Sequence, residues 1–423
     1  MRLFRVLLLF VLLMLTFSGD VAAQEGGGDV NPGVFTIGEQ TFTSNYPEGM
    51  TFTVQATSSA GPIARASLFY DFGIQPSGRV PAETMDNQSG TITAVVRRAD
   101  AGGLIPWLEV NYHWRLIDSA GNAIETPVQH AVYADNSREW QHAESDLVRI
   151  YWFGLPAWVG PEAIDAVNQA QERWRLGFPG VELTTRPLVV IYPDRDSFME
   201  WQGELPQGSE DSIRFVGTLR ESWNGTVQRV PDQLRLDRTC GGLDIVADFD
   251  HVVRALARAT VTHELTHFHQ YAMNSDRGPT WWIEGQATFF EDDYQEYDGD
   301  ARVARLAAMG ELPSLLYGDT LPGAGTPGPD GCTHLAYDVG AAFLRYLRDH
   351  YGGYAAHGEI TRLVAQNRGI YEAIETVTGR SFADLEAEWR ASLGAGPAPT
   401  LVPTPTLTIF SLPTPVFNPP GGG

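Results

Sequence analysis

The stretch Thr262-His263-Glu264-Leu265-Thr266-His267 decides how the rest of the chain is read. Residues four apart on a helix stack on one face, so His263 and His267 can turn two imidazoles toward one cation. Glu264 sits between them in sequence, placed to take a proton from a water that such a cation activates. Two neutral nitrogen ligands, an open coordination position and a carboxylate base are what a hydrolytic zinc site needs. The helix itself is well supported. Between Asp250 and Met273 apolar residues recur at three- and four-residue spacing (Val253, Leu256, Val261, Leu265, Phe268, Ala272), Asp248 or Asp250 can cap the start, and Gly278-Pro279 lies beyond the end.

Two histidines do not complete such a site. After the break at Arg277-Gly278-Pro279 comes Thr280-Trp281-Trp282-Ile283-Glu284-Gly285-Gln286-Ala287-Thr288-Phe289-Phe290, an apolar segment that predicts a second helix returning along the first. Glu284 would then meet both imidazoles and supply an anionic oxygen ligand. The four aromatic residues of this segment read more simply as core than as a substrate subsite.

These segments, H-E-L-T-H and W-W-I-E-G-Q-A, resemble the gluzincin zinc peptidases, especially their small peptidase-MA-like domains. A third segment, Tyr337-Asp338-Val339-Gly340 and the helix after it, is similar to the Y-x-x-G helix of gluzincin aminopeptidases. The resemblance covers residues 250–350. It implies one zinc ion held by His263, His267 and Glu284, with Glu264 as general base and the Tyr337 hydroxyl stabilising the oxyanion. His334, one turn before Tyr337, is the one further histidine to test as a second electrophile. Two features depart from the pattern. There is no G-x-M-E-N segment, so exopeptidase activity gains no support. Where thermolysin-like relatives place an Asp four residues after the glutamate ligand, this chain has Thr288; Glu291 or Asp292 would have to support a histidine instead.

Met1 to Ala23 reads as a secretory signal: Arg2 and Arg5, an apolar run from Val6 to Phe17, then Val21-Ala22-Ala23 before Gln24. That run is too short to span a bilayer and no later segment is long enough, which predicts a secreted or surface-held protein without a transmembrane helix. The formal net charge is −23, and all 29 basic residues are arginine. Lysine-based covalent catalysis is excluded, and nucleic acid is excluded as a natural partner for so acidic a chain. Cys240 and Cys332 are the two cysteines; in an exported protein they allow a single bridge.

The fold class expected is α+β and multidomain. Residues 24–32 form a Gly-rich linker. Residues 33–137 carry about seven alternating segments, among them 51–56, 66–71, 90–96 and 108–116, which predict a β-sandwich of immunoglobulin or fibronectin type serving as spacer or docking module. Residues 138–395 predict the peptidase-like domain: a small N-terminal sheet with strands at 147–152, 188–192 and within 212–237, the last holding an Asn224-Gly225 turn, then mostly helix. The acidic run 291–300 reads as a solvated face. The Gly/Pro-rich stretch 321–331 reads as a loop bordering the cleft. Residues 396–423, rich in Pro and Thr, predict an extended tail that could tether the protein to a surface.

Three functions compete on the residues. The first is an exported zinc metallopeptidase acting on a peptide or protein substrate. The second is a non-catalytic extracellular binding or scaffold protein with a structural or vestigial zinc site, against which an intact Glu264 argues. The third is hydrolysis of a non-peptide amide or ester, which only the family resemblance disfavours. Bond specificity and oligomeric state are not written in the chain.

Overall fold

The fold is known from a computed structural model. It describes residues 32–73, 78–98, 104–202, 217–220, 224–230, 249–291, 299–316, 328–329 and 334–398. The expected leader, both cysteines, the loop expected at 321–331 (apart from Gly328 and Pro329) and the Pro/Thr-rich stretch from residue 399 lie outside the described residues.

The first hundred described residues are strands: β1 (Phe35–Asn45), β2 (Gly49–Ser58), β3 (Ile63–Asp71), β4 (Gly78–Pro81), β5 (Thr84–Asp86), β6 (Thr91–Arg97), β7 (Leu108–Asp118), β8 (Ala123–Glu125) and β9 (Gln129–Tyr133). Every second residue of β7 (Val110, Tyr112, Trp114, Leu116) is buried, as are Phe52, Val54, Ile92, Ala94 and Leu68. That period of two puts one apolar face on each sheet. The strands form two antiparallel sheets in the orders β1-β2-β6-β5 and β4-β3-β7-β8, with β9 also on β7. Nine strands stand where about seven were expected. The last is divided because Thr126-Pro127-Val128 interrupts it, and proline cannot donate to a ladder.

A third sheet, of mixed direction, follows. It contains β10 (Gln141–Glu144), β11 (Arg149–Trp152), β12 (Leu188–Tyr192), β13 (Gly217–Arg220) and β14 (Gly225–Arg229), in the order β10-β11-β12-β14-β13. The three central strands are parallel and the two edges antiparallel. Asn224, with φ 45°, closes the β13–β14 hairpin just before Gly225. All five residues of β12 are buried, the mark of a strand covered on both faces. Val189 and Ile191 belong to a core shared with the helices. Leu188, Val190 and Tyr192, with Val227, belong to the same core as Phe52, Leu68 and Trp114 of the sandwich. The apolar interior therefore runs without interruption from the sandwich onto the mixed sheet, and Tyr46 and Tyr192 hydroxyls join across the seam at 2.8 Å.

Helix α1 (Val159–Gly177) covers the other face of that sheet, whereas α2 (Arg195–Gln202), beside β12 and β14, joins the sandwich-side core through Phe198 and Trp201. On the α1 side follow α3 (Phe249–Ala255), α4 (Val261–Met273), α5 (Thr280–Phe289), α6 (Gly299–Met309), α7 (Gly340–His350), α8 (Gly353–Ala365), α9 (Ile370–Thr378) and α10 (Phe382–Ser392). A π-helical turn, Leu256–Thr260, joins α3 to α4, and another, Leu335–Val339, leads into α7. Asp250 lies inside the first turn of α3 rather than before it. No helix among the described residues is long and apolar enough to cross a membrane.

A fragment comprising only residues 138–395 would expose Leu188, Val190, Tyr192 and Val227 to water. The expected outcome is aggregation or strong binding of a hydrophobic dye, measured on the separately produced fragment; a monomeric fragment with the full chain's thermal stability would refute the shared core.

Candidate metal centre

Helix α4 is the mount, and α1 lies along it. Trp174 donates its indole N–H to Thr266 at 2.9 Å and stacks on His269 at 4.7 Å between centroids. Arg258 pairs with Glu162 and Asp165, both at 2.8 Å, and Arg254 pairs with Glu162. Locked on that side, α4 turns His263, Glu264 and His267 into the interior, each at most 9% exposed.

Helix α5 brings the third group. Glu284 Oε2 lies 3.4 Å from His263 Nε2 and 3.5 Å from His267 Nε2. Among the described residues, His263, His267 and Glu284 form the set of ligand-type atoms close enough to hold a metal ion. The outer nitrogens explain the orientation. His263 Nδ1 meets Glu291 Oε1 at 2.8 Å and Thr288 Oγ1 at 3.4 Å, and His267 Nδ1 meets Gln270 Oε1 at 2.7 Å. Both outer contacts of 2.8 Å or less are to acceptors, so each imidazole carries a proton on Nδ1, which leaves Nε2 as the atom that could give its lone pair to a cation beside Glu284. This donor set suits zinc: two neutral nitrogens and one carboxylate converge, and their supporting partners are in place.

The electrostatics point the same way. Burial alone would lower the pKa of His263, yet hydrogen bonds to Glu284 and Glu291 outweigh it and carry it up to about 10. Burial would raise Glu284, but the two imidazoles hold it far below the usual carboxylate range. The cluster thus attracts positive charge at its centre, whether a proton or a metal cation. Burial pushes Glu264 upward, aided by Glu284 and Glu291 and opposed by the two histidines.

Tyr337 sits in the π-helical turn before α7, and its ring lies over that of His263, 5.6 Å between centroids and 20° from parallel. Two glycines allow this approach. A Cβ on Gly285 would lie 2.7 Å from Gly340 Cα, and one on Gly340 would run into the Trp281 carbonyl. The glycines of the E-G-Q-A and Y-D-V-G segments are therefore the crossing point of α5 and α7. His334 lies beside Tyr337 at 6.1 Å between ring centroids, and its backbone N–H donates to Asp338 at 2.8 Å. Trp281, Trp282, Phe289 and Phe290 are all core.

Sequence reasoning passed over Gln270, Gln286 and His357. Gln270 is three residues after His267, a visible helical spacing; nothing local marks the other two. His357 is only 4% exposed and meets Gln286 Nε2 at 2.8 Å. Asp292 and the rest of the acidic run to residue 298 lie outside the described residues, which leaves Glu291 as the described carboxylate on His263.

No family model matches the chain, and no curated protein matches it. Solved structures share a slight likeness with part or most of its length. Aminopeptidase A of Legionella pneumophila matches at 12% identity and TM-score 0.31, over 84% of this chain and 49% of that one. Yeast LTA4 hydrolase matches at 11% identity and TM-score 0.24, over 88% and 68%. A chain described as BhCBM56 matches at 13% identity and TM-score 0.18, over 25% of this chain and 99% of its own. Scores this low assign no family.

Two substitutions test the arrangement. Gly340→Ala should force α7 away from α5, costing stability on the order of 1–3 kcal/mol as overpacking does, read from denaturant unfolding; unchanged stability would contradict the close crossing. Asp338, raised to about 7 mainly by burial, keeps its proton in the native state while the unfolded carboxyl ionises near 3.8. Its contribution is whole below that lower value and is lost as pH rises through about 7. Asp338→Asn, which retains an acceptor for the His334 N–H, should flatten the fall in unfolding free energy between pH 4 and 7.

Proposed function

We propose that the protein is an exported zinc-dependent metallopeptidase of gluzincin type. The observation that carries this reading is the meeting of His263 Nε2, His267 Nε2 and Glu284 Oε2 beside a buried Glu264. A zinc ion held by those three groups would supply Lewis acidity toward a substrate carbonyl and a lowered pKa for water. The chain's own residues do the rest. Glu264 accepts the proton of the attacking water and returns it to the departing amine. Its raised pKa suits that double task, since a base nearer neutrality can also serve as acid. Tyr337, stacked over His263, donates its phenol hydrogen to the carbonyl oxygen as charge gathers there. Glu291 and Thr288 hold His263 from behind.

The remaining parts fit an extracellular enzyme. The strand orders β1-β2-β6-β5 and β4-β3-β7-β8 suit an immunoglobulin-type sandwich, which acts as a fixed wall of the enzyme rather than a hinged module. The proposed units are the sandwich at 33–137 and the peptidase domain at 138–395. Cleavage of the leader after Ala23 delivers the chain to the oxidising compartment where Cys240 and Cys332 would pair, and the tail from 396 links it to a surface. The substrate class is peptide or protein.

Glu264→Gln should bind one zinc per chain as the wild type does and hydrolyse an unfolded protein substrate about 10²- to 10⁴-fold more slowly. Metal analysis beside a digestion assay measures both. Equal activity in the two proteins would sink the mechanism, and absence of zinc from both would sink the site.

A further inference from the structure

Behind His267 a chain of neutral hydrogen bonds runs through the interior. Gln270 accepts from His267 Nδ1 at 2.7 Å, and its Nε2 donates to the Ile283 carbonyl at 2.9 Å and to Gln286 Oε1 at 2.8 Å. Gln286 Nε2 donates in turn to His357 Nε2 at 2.8 Å and to Thr361 Oγ1 at 3.1 Å. Thr361 spends its own hydrogen on the His357 carbonyl at 3.0 Å. Gln270, Gln286 and Thr361 are 0% exposed, so a mispaired amide here would find no water to correct it.

The chain has one self-consistent polarity. A backbone carbonyl only accepts, so the Ile283 oxygen requires Gln270 to present Nε2 to it and hence Oε1 to His267. The second carbonyl, of His357, makes Thr361 an acceptor toward Gln286, which fixes that amide the same way. Burial holds His357 neutral, lowering its pKa to about 3, and the Gln286 Nε2–H fixed by Thr361 makes its Nε2 the acceptor. Reversing either amide would set oxygen against oxygen at Ile283 or strand a buried donor. Ile283 precedes Glu284 in α5, so the same helix supplies one ligand and the carbonyl that orients the other.

We propose that Gln270, Gln286 and His357 form a positioning relay that locks His267 in its Nδ1–H tautomer and thereby sets the cation affinity of the site. This rests on the metal-site reading of His263, His267 and Glu284. Gln286 is the informative position, because it touches no proposed ligand. Gln286→Met removes both its acceptor and its donor. Gln286→Glu keeps an oxygen for Gln270 Nε2 and, protonated, a donor for His357.

The test uses the metal-free full chain, with histidine nitrogens labelled and their chemical shifts read at pH 8, followed by zinc titration. Wild type and Gln286→Glu should show His267 protonated on Nδ1. Gln286→Met should show a mixture of tautomers and bind zinc about 10- to 100-fold more weakly, the usual cost of losing support behind a ligand. A relay with a merely structural role would lower the melting temperature without moving the His267 shifts, and that result would overturn the proposal. So would a wild-type His267 protonated on Nε2, a readout that needs no variant to fold. A wild type that shows the expected tautomer yet binds no zinc would instead overturn the metal reading and leave the relay standing.

Discussion

Everything near the centre of this protein answers to one electrostatic constraint: two imidazoles and two carboxylates are packed together away from water. Isolated, any one of them would be expelled or neutralised. Together they are tolerable only if every polar atom that does not face the centre has a partner. Glu291 and Thr288 meet that need for His263, and Gln270 meets it for His267. The partners differ in kind. His263 is backed by a carboxylate that helps to pull its pKa upward, whereas His267 is backed by an amide chain with no net charge. The supporting carboxylate therefore stands on the His263 side of the site, where the Tyr337 ring also lies.

The helices meet this demand through backbone proximity. Glu284 can reach both imidazoles because α5 lies against α4, and Tyr337 can reach over His263 because α5 and α7 cross at Gly285 and Gly340 with no side chain between them. Both π-helical turns fall at this centre, one directly before the histidines and one holding Tyr337. A π turn inserts a residue and so shifts the face that the following helix presents. That shift delivers His263 and His267 to the interior at the end of a helix whose other side is tied to α1 by Trp174 and Arg258.

How much of this was legible in the chain follows from range. Spacing within one helix is local, so His263, Glu264 and His267 can be read at once, and the apolar period of α4 with them. The second helix was legible from its Gly-Pro break and the sandwich strands from their alternation. The glycines of α5 and α7 carry no local signal of what they permit, because the neighbour each excludes lies over fifty residues away. Gln286 and His357 are silent for the same reason. An isolated glutamine on an apolar helix and a histidine near a glycine look alike whether buried or exposed until the fold joins them. The shared core was hidden differently. The run Leu188-Val189-Val190-Ile191-Tyr192 announces burial on both faces, but not that one of those faces belongs to the sandwich.

That last feature changes what the sandwich can be. A spacer joined by a linker needs its own closed core, and its removal would cost the rest of the chain little. Here the face of the mixed sheet opposite α1 has Val190, Tyr192 and Val227 buried against Trp201 of α2 and the sandwich interior, with Trp201 donating to the Leu104 carbonyl at 3.0 Å. Arg138, at the junction, pairs with both Asp135 and Glu200. The sheet that carries α1, and that meets α4 at its β13 edge, is thus held from behind by the sandwich. The candidate metal centre sits on the α1 side of that sheet, and its precision depends on a wall built from residues 35–133. A sandwich in this position is part of the scaffold that fixes the ligands, whatever surface it also offers to a partner.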